Sequence, residues 1–176
     1  SPQGKPITLR GAVDAEGFPT TIIDGQGSIR VFECSNGEGA DTVFENLLIT
    51  GGQASSGGGM RCYNSNPTLT NCVFQENSAE DVGGGMYCSS SDPTLTNCVF
   101  EGNGDVLVIL NADEQEENIV PVPQGGGMCC YESNPTLNDC VFQENSAYDG
   151  GGMYSTSNSA TITGSIFCST TGGNIY

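Results

Sequence analysis

The sequence contains no histidine and no tryptophan, and its four basic residues face 21 acidic ones. Without histidine, a Ser-His-Asp hydrolase site, a Cys-His protease site and a histidine-ligated zinc or haem are excluded. The formal net charge of −17 repels phosphate backbones, so we expect no nucleic-acid binding. No apolar run approaches the ~20 residues of a membrane-spanning helix, so we expect no membrane insertion.

Glycine and cysteine are abundant instead. The 26 glycines among 176 residues, with only 36% hydrophobic residues, disfavour a helical bundle and favour a thin, repetitive interior. Nine cysteines in a chain of this length are typical of an oxidising compartment. The composition therefore predicts a secreted protein or one at the cell surface.

An internal repeat of about 25 residues is the main signal. Segments that begin GGGM recur with their methionines at Met60, Met86, Met128 and Met153. A degenerate copy starts at Val31, and half a copy precedes it. We predict a single domain over 1–176, with half a coil at 1–27 and coils at about 28–55, 56–81, 82–124, 125–148 and 149–176. The 82–124 coil carries an insertion at 104–124.

Each period holds three short extended pieces, M-x-C, P-T-L-T and C-V-F, separated by glycine- and asparagine-rich turns. Such short pieces cannot pair within one period, but each can stack on the same piece of the next period. The pattern predicts an all-β fold: a single right-handed parallel β-helix, or solenoid, of about five to six coils. Each coil has three short strands, and one inserted hairpin interrupts the repeat.

Side-chain alternation assigns residues to the interior. We predict three inward columns. The first has Phe32 above the four methionines, the second runs Val43, Leu69, Leu95, Leu137 and Ile162, and the third runs Ile49, Phe74, Phe100, Phe142 and Phe167. Asparagines at two corners, Asn71 with Asn97 and Asn77 with Asn103 and Asn145, are predicted to stack and to satisfy turn backbone groups.

The recurring GGGM, SNPTLTNC and F-x-x-N segments resemble the right-handed β-helix repeats of large bacterial secreted and surface proteins. The pairing of GG-apolar with F-x-x-N also resembles the chlamydial polymorphic outer-membrane proteins. The opening GKPITLRG…TTIIDGQG is similar to the first coil of pectinesterase-like and polysaccharide-lyase-like repeat proteins. The resemblance implies a β-helix fold and an exported protein. It leaves the activity open, because the repeat encodes a scaffold.

Six cysteines recur ten residues apart within a coil, and the fourth copy has serine at both positions, Ser155 and Ser165. This joint loss favours a disulfide within each coil, and two buried ladders of reduced thiols are the alternative. Cys34, Cys129 and Cys168 have no repeat partner. The predicted pairs are Cys62–Cys72, Cys88–Cys98 and Cys130–Cys140.

The outward column of the first strand reads Glu33, Arg61, Tyr87, Cys129 and Tyr154. An arginine beside an acid suits a lyase, but Glu33 neutralises Arg61 as an ordinary cross-strand pair. Tyr87 and Tyr154 are candidate glycan contacts, because tyrosines stack on sugar rings. No catalytic residue is assigned.

Acidic residues gather at the corner after the third strand. Carboxylate oxygens from stacked loops bind Ca²⁺ at ~2.3–2.6 Å, while a solvated acidic edge is the alternative. No other cofactor is expected. The candidate calcium ligands are Glu76, Asp81, Glu144 and Asp149.

An apolar stripe on the third strand and apolar residues of the insertion form a candidate interface. A soluble monomer usually covers such a stripe, so the hairpin either folds over it or contacts another chain. The stripe residues are Val73, Val99, Val141 and Ile166, and the insertion residues are Val106, Val108, Leu110, Ile119 and Val122.

Together these patterns favour an exported, non-enzymatic structural or surface module for adhesion or for fibre building. Its partner would be another copy of the chain, or neighbouring repeats of a longer chain. Two alternatives stay open: a carbohydrate-active β-helix of lyase or esterase type, and a module that binds a glycan or calcium.

Overall fold

A computed structural model describes residues 2–105, 124–156, 159–173 and 175. Twenty short strands form four parallel sheets, and the described residues contain no helix. Accordingly, none of the described segments is a helix of the length and apolarity needed to cross a membrane. The chain winds as a parallel solenoid, which confirms the predicted all-β class.

Equivalent strands of successive coils stack in register to form the sheets. Sheet one contains β3 (Phe32–Cys34), β7 (Met60–Tyr63), β11 (Met86–Ser89), β15 (Met128–Tyr131) and β18 (Met153–Thr156). Sheet two contains β1 (Thr8–Arg10), β4 (Val43–Glu45), β8 (Thr68–Thr70), β12 (Thr94–Thr96), β16 (Thr136–Asn138) and β19 (Thr161–Thr163). Sheet three contains β2 (Thr21–Asp24), β5 (Leu47–Thr50), β9 (Val73–Gln75), β13 (Val99–Glu101), β17 (Val141–Gln143) and β20 (Ile166–Cys168).

A fourth sheet was not predicted. It consists of β6 (Gln53–Ser56), β10 (Ser78–Val82) and β14 (Gly104–Asp105), and it follows sheet three in each coil. The prediction of three strands per coil is therefore wrong for the coils that contain these strands. Glycine allows their backbones to approach closely: a Cβ on Gly58 would lie 2.1 Å from the carbonyl oxygen of Ser78.

The inward columns form one continuous core. Phe32 stacks on Met60, as predicted, and the rings of Phe74 and Phe100 lie parallel with centroids 4.6 Å apart. The prediction for Val43 is wrong: Phe44 pairs with Leu69 and is buried at 1% exposure. Because side chains alternate between faces, this shift by one residue turns Val43 outward.

A ladder of buried asparagines confirms the predicted corner. Asn103 Nδ2 donates to Asn145 Oδ1 at 3.0 Å and to the carbonyl oxygen of Phe74 at 2.8 Å. Asn77 Nδ2 donates to Asn103 Oδ1 at 3.0 Å and to the carbonyl oxygen of Ile49 at 2.9 Å. The ladder thus provides buried hydrogen-bond donors for carbonyl groups of sheet three.

A second buried ladder ends at a carboxylate. The backbone N–H of Ser65 donates to the Ser91 hydroxyl, and that of Ser91 donates to the Ser133 hydroxyl. The Ser65 hydroxyl donates to Glu38 at 3.0 Å, and the backbone N–H groups of Gly4 and Asn36 donate to the same carboxylate. Burial alone raises the pKa of Glu38, but these three hydrogen bonds and one from its own backbone N–H lower it to about 2.

Replacing Glu38 by glutamine is expected to lower the stability at neutral pH, with an effect that depends on pH. The folded-state pKa of about 2 lies below the ordinary value of 4.5, so Glu38 stabilises the fold above pH 4.5. This contribution is lost as the pH falls from 4.5 towards 2. Urea midpoints of the wild type and Glu38→Gln should therefore differ at pH 7 and converge near pH 2. A difference that stays constant over this range would contradict the prediction.

Candidate functional site

The outward column of sheet one is assembled as the sequence predicts. Glu33 lies beside Arg61, and Arg61 beside Tyr87. Cys129 and Tyr154 follow on the next two strands. Parallel pairing in register therefore brings residues from five different coils onto one face of the solenoid.

Glu33 is held by two arginines. Arg61 Nη1 lies 3.7 Å from Glu33 Oε1, which confirms the predicted cross-strand pair. Arg30 Nη1 lies 2.8 Å from Glu33 Oε2, and its guanidinium also donates to the carbonyl oxygens of Ser56 and Gly57. Sequence analysis missed Arg30, although it precedes Glu33 by only three residues.

Arg61 is less firmly bound than Arg30. Its guanidinium carbon lies 5.6 Å from the centroid of the Tyr63 ring, which is a cation–π contact. Its Nε is buried and has no hydrogen-bond partner among the described residues. The side chain is 33% exposed, and an anionic or hydroxyl-bearing ligand can reach only this exposed part, not the buried Nε.

Three tyrosines cluster around Cys129. Tyr131 leans between Tyr87 and Tyr154, with ring centroids 6.0 and 6.1 Å away, and its hydroxyl donates to the Gln124 side chain. Burial raises the pKa of Tyr131 to about 12. Tyr154 is only 8% exposed, so its ring cannot lie flat against a sugar. This burial corrects its assignment as a glycan contact. Tyr87 stays half-buried and remains a candidate.

Sheet one offers little for catalysis. Glu33 is the only carboxylate in its five described strands, and its ion pairs with Arg30 and Arg61 occupy both of its oxygens. Proton abstraction from a substrate needs a base with a pKa near the working pH and within hydrogen-bond reach. Both oxygens of Glu33 already face guanidinium groups, which leaves the carboxylate poorly placed to reach a substrate proton.

The predicted calcium ligands do not come together. Glu76 and Glu144 occupy the same corner position, but Gly102 occupies it in the coil between them. At ~4.8 Å per coil, the two carboxylates stand roughly 10 Å apart, too far to share one ion. Gln124 pairs with Val82 on one side and with Asp149 on the other. A whole coil therefore separates Asp81 from Asp149. Among the described residues, no group of three or more possible ligands can hold a metal ion.

The cysteines form two columns instead of pairs within each coil. All nine lie in the described part of the chain, and no disulfide joins them. The thiol of Cys62 is hydrogen-bonded to Cys34 and Cys88, and that of Cys98 to Cys72 and Cys140. The predicted pairs Cys62–Cys72, Cys88–Cys98 and Cys130–Cys140 are therefore not formed in the structure. Cys34 was assigned no partner, yet it is the first member of a column.

The apolar stripe on sheet three faces outward. Val73, Val99 and Val141 are half-buried, and Ile166 is 56% exposed. The insertion residues Val106, Val108, Leu110, Ile119 and Val122 lie outside the described residues. The stripe is thus part of the outer surface, and its role as an interface stays a prediction.

The match to a known family covers most of the chain. A model for a right handed beta helix region matches residues 15–176. No curated protein and no solved structure matches the chain. The match includes every coil that carries a GGGM segment.

Proposed function

The chain belongs to the right-handed β-helix family, and we propose that it is a non-enzymatic structural module whose outermost described coils stack on further coils, those of another copy of the chain or of neighbouring repeats in a longer chain. The observation that carries this proposal is the last layer of strands. Among the described residues, β19 pairs only with β16, and β20 only with β17. The opposite edges of β19 and β20 present backbone groups that a parallel strand of another coil can accept.

The side chains of this layer also favour a further coil. Ile162 belongs to an inward column and is 39% exposed, whereas Leu137, its equivalent one coil earlier, is 0% exposed. On the outer face, Ile166 is 56% exposed. Covering both isoleucines would be favourable at ~25 cal/mol per Å² of apolar surface.

The first strands provide the complementary surface. β1 pairs only with β4 and β2 only with β5 among the described strands. A contact between the first layer of one copy and the last layer of the next is heterologous, because it joins two different surfaces. Repeated contacts of this kind extend into a filament when the rotation does not close a ring.

Two further features support a structural, exported module. The only carboxylate of sheet one is committed to arginines, and the sequence has no histidine. The resemblance of the repeats to bacterial secreted and surface proteins supports export and a role in adhesion or fibre building. The net charge of −17 opposes self-association at low ionic strength, so salt or calcium ions should promote it.

Light scattering and electron microscopy over a range of protein and salt concentrations test the proposal. We expect the wild type to form polymers or filaments at high concentration, and Ile162→Lys at the last layer to stay monomeric. Thr68→Lys is the matched control, because it adds the same charge to a half-buried position of sheet two away from either end. The control should polymerise like the wild type.

Two outcomes would contradict the proposal. If the wild-type protein stays monomeric at high concentration in calcium-containing buffer, it does not self-associate. Release of unsaturated or de-esterified sugars from polygalacturonate or pectin by the same samples would favour the lyase or esterase alternative.

Lateral contacts through the insertion are a further part of the proposal, and the register of the fourth sheet supplies a test. Ala79 pairs with Asp105 and Val82 with Gln124, so two residues, Glu80 and Asp81, span the same gap one coil earlier. Replacing residues 106–123 by Glu-Asp therefore preserves the coil. We expect this variant to form single filaments that no longer bundle. Unchanged bundles would show that the insertion does not make the lateral contacts.

Glycan binding is the second candidate, and Arg61 favours it. Its side chain is 33% exposed and lies on the same face as the exposed ring of Tyr63 and the half-buried Tyr87. An acidic or hydroxyl-rich saccharide suits this combination. Arg61→Ala should weaken retention on an acidic polysaccharide column if this face binds glycans, and polymerisation should be unchanged.

A further inference from the structure

Seven of the nine cysteines stand in two columns that run along the solenoid. The first column contains Cys34, Cys62, Cys88 and Cys130, which pair in register on four successive strands of sheet one. The second contains Cys72, Cys98 and Cys140, each directly before a strand of sheet three. All seven are 0% exposed.

Contacts between thiols run along these columns. In the first column, Cys62 is hydrogen-bonded to Cys34 and Cys88, and Cys88 also to Cys130. In the second column, Cys98 is hydrogen-bonded to both of its neighbours. Each column therefore stacks one thiol per coil on the next.

The spacing of the coils suits a covalent link along the axis. Strands that pair in a sheet lie ~4.8 Å apart, within the ~4.4–6.8 Å between Cα atoms that a disulfide spans, and their Cβ atoms need to approach by only a few tenths of an ångström to reach its ~3.5–4.5 Å range. Members two coils apart, such as Cys72 and Cys140, stand roughly 10 Å apart by the same spacing and cannot be joined. Within a column, neighbours meet the requirement and members two coils apart do not.

We propose that the columns are cross-linking sites, in which neighbouring cysteines join successive coils by disulfides along the axis when the chain folds with a disulfide oxidant. Four cysteines pair completely, as Cys34–Cys62 and Cys88–Cys130. The second column has three cysteines, so one of them stays reduced. Cys98 joins either Cys72 or Cys140. This inference is independent of the proposed self-association.

Each link forms by thiol–disulfide exchange. A cysteine thiolate attacks oxidised glutathione and releases one glutathione thiolate, and the neighbouring cysteine thiolate then displaces the second. The protein loses two protons and two electrons, and the oxidant is reduced to two glutathione thiols. All seven cysteines of the columns are 0% exposed in the folded chain, so oxidised glutathione reaches them only before the coils close. The exchange therefore takes place during folding.

The number of thiols left after refolding in a glutathione redox buffer tests the connectivity. The wild type should retain three of its nine thiols, counted by alkylation in denaturant and mass spectrometry. Cys98→Ser removes the shared member of the second column and should retain four. Cys140→Ser leaves the pair Cys72–Cys98 intact and should retain two.

The comparison of these two variants separates axial links from links within a coil. If Cys88–Cys98 and Cys130–Cys140 were the natural pairs, both variants would retain four thiols. Both should fold, because the last coil has Ser165 at this column position, where its hydroxyl accepts a hydrogen bond from the Cys140 backbone. Far-UV circular dichroism checks this.

Peptide mapping gives a second measurement. Peptides that join Cys34 to Cys62, and Cys88 to Cys130, are the expected products. Nine alkylated cysteines in the refolded wild type, or a peptide that joins Cys62 to Cys72, would overturn the proposal.

Discussion

Replacing Asn103 by leucine is expected to destabilise the protein by about 4 kcal/mol, because each buried polar group left unpaired costs about 1–3 kcal/mol. Asn103 lies at the centre of the asparagine ladder and is 0% exposed. Its Oδ1 accepts from the backbone N–H of Asn77 at 3.1 Å, and its Nδ2 donates to the Phe74 carbonyl oxygen. Leucine has a similar volume but leaves both backbone groups without a partner.

Asn97→Gly is the matched control for this variant. Asn97 is also a corner asparagine, but it is exposed and its backbone has φ of +53°, which glycine adopts without strain. Its stability should change by no more than about 0.5 kcal/mol. Urea unfolding followed by circular dichroism measures both variants. Equal urea midpoints for Asn103→Leu and Asn97→Gly would show that the asparagine ladder contributes little to the stability of the fold.

Replacing Phe100 by alanine is expected to cost about 3–5 kcal/mol, the range for removing a buried aromatic ring. The ring lies between Phe74 and Phe142, with both centroids 4.6 Å away and nearly parallel planes. Because the coils interact only with their neighbours, a cavity here weakens the stack in its middle. We therefore expect a lower midpoint and a broader unfolding transition.

Two other phenylalanines serve as controls. Phe167 is the last ring of the stack and contacts only Phe142 among the described aromatic residues, so Phe167→Ala should cost roughly half as much as Phe100→Ala. Phe18 is 67% exposed, and Phe18→Ala should be near neutral. If Phe167→Ala lowered the free energy of unfolding as much as Phe100→Ala, this would contradict the view that each coil is stabilised only by its neighbours.

The repeat explains why so much of the fold could be predicted from the sequence. In a solenoid, residues at the same position of successive periods lie one above the other. The spacing of Met60, Met86 and Met128 therefore predicts their column without any knowledge of the tertiary structure. The same reasoning correctly predicts the asparagine ladder and the pair of Glu33 with Arg61.

Residues outside the regular repeat were less predictable. Phe44 belongs to the degenerate copy, where the alignment does not fix the register of sheet two to one residue. Cys34 belongs to the same copy, but the predicted pairing of Phe32 with Met60 already places it on Cys62. Arg30 precedes the first strand of sheet one, so no column marks its contact with Glu33. The hydrogen bonds of Glu38 come from Gly4, Asn36 and Ser65, two of which are distant in the sequence.

The sequence by itself determines which residues stack along the axis, because that order follows from the period alone. The tertiary structure decides which residues meet around one coil, because the corners between strands set those distances. Ten residues separate Cys62 from Cys72, yet each hydrogen-bonds along its own column. Likewise, Tyr154 occupies the predicted outward column, but packing against Tyr131 buries it. Periodicity carries no information about such lateral packing, which depends on the shape of the coil.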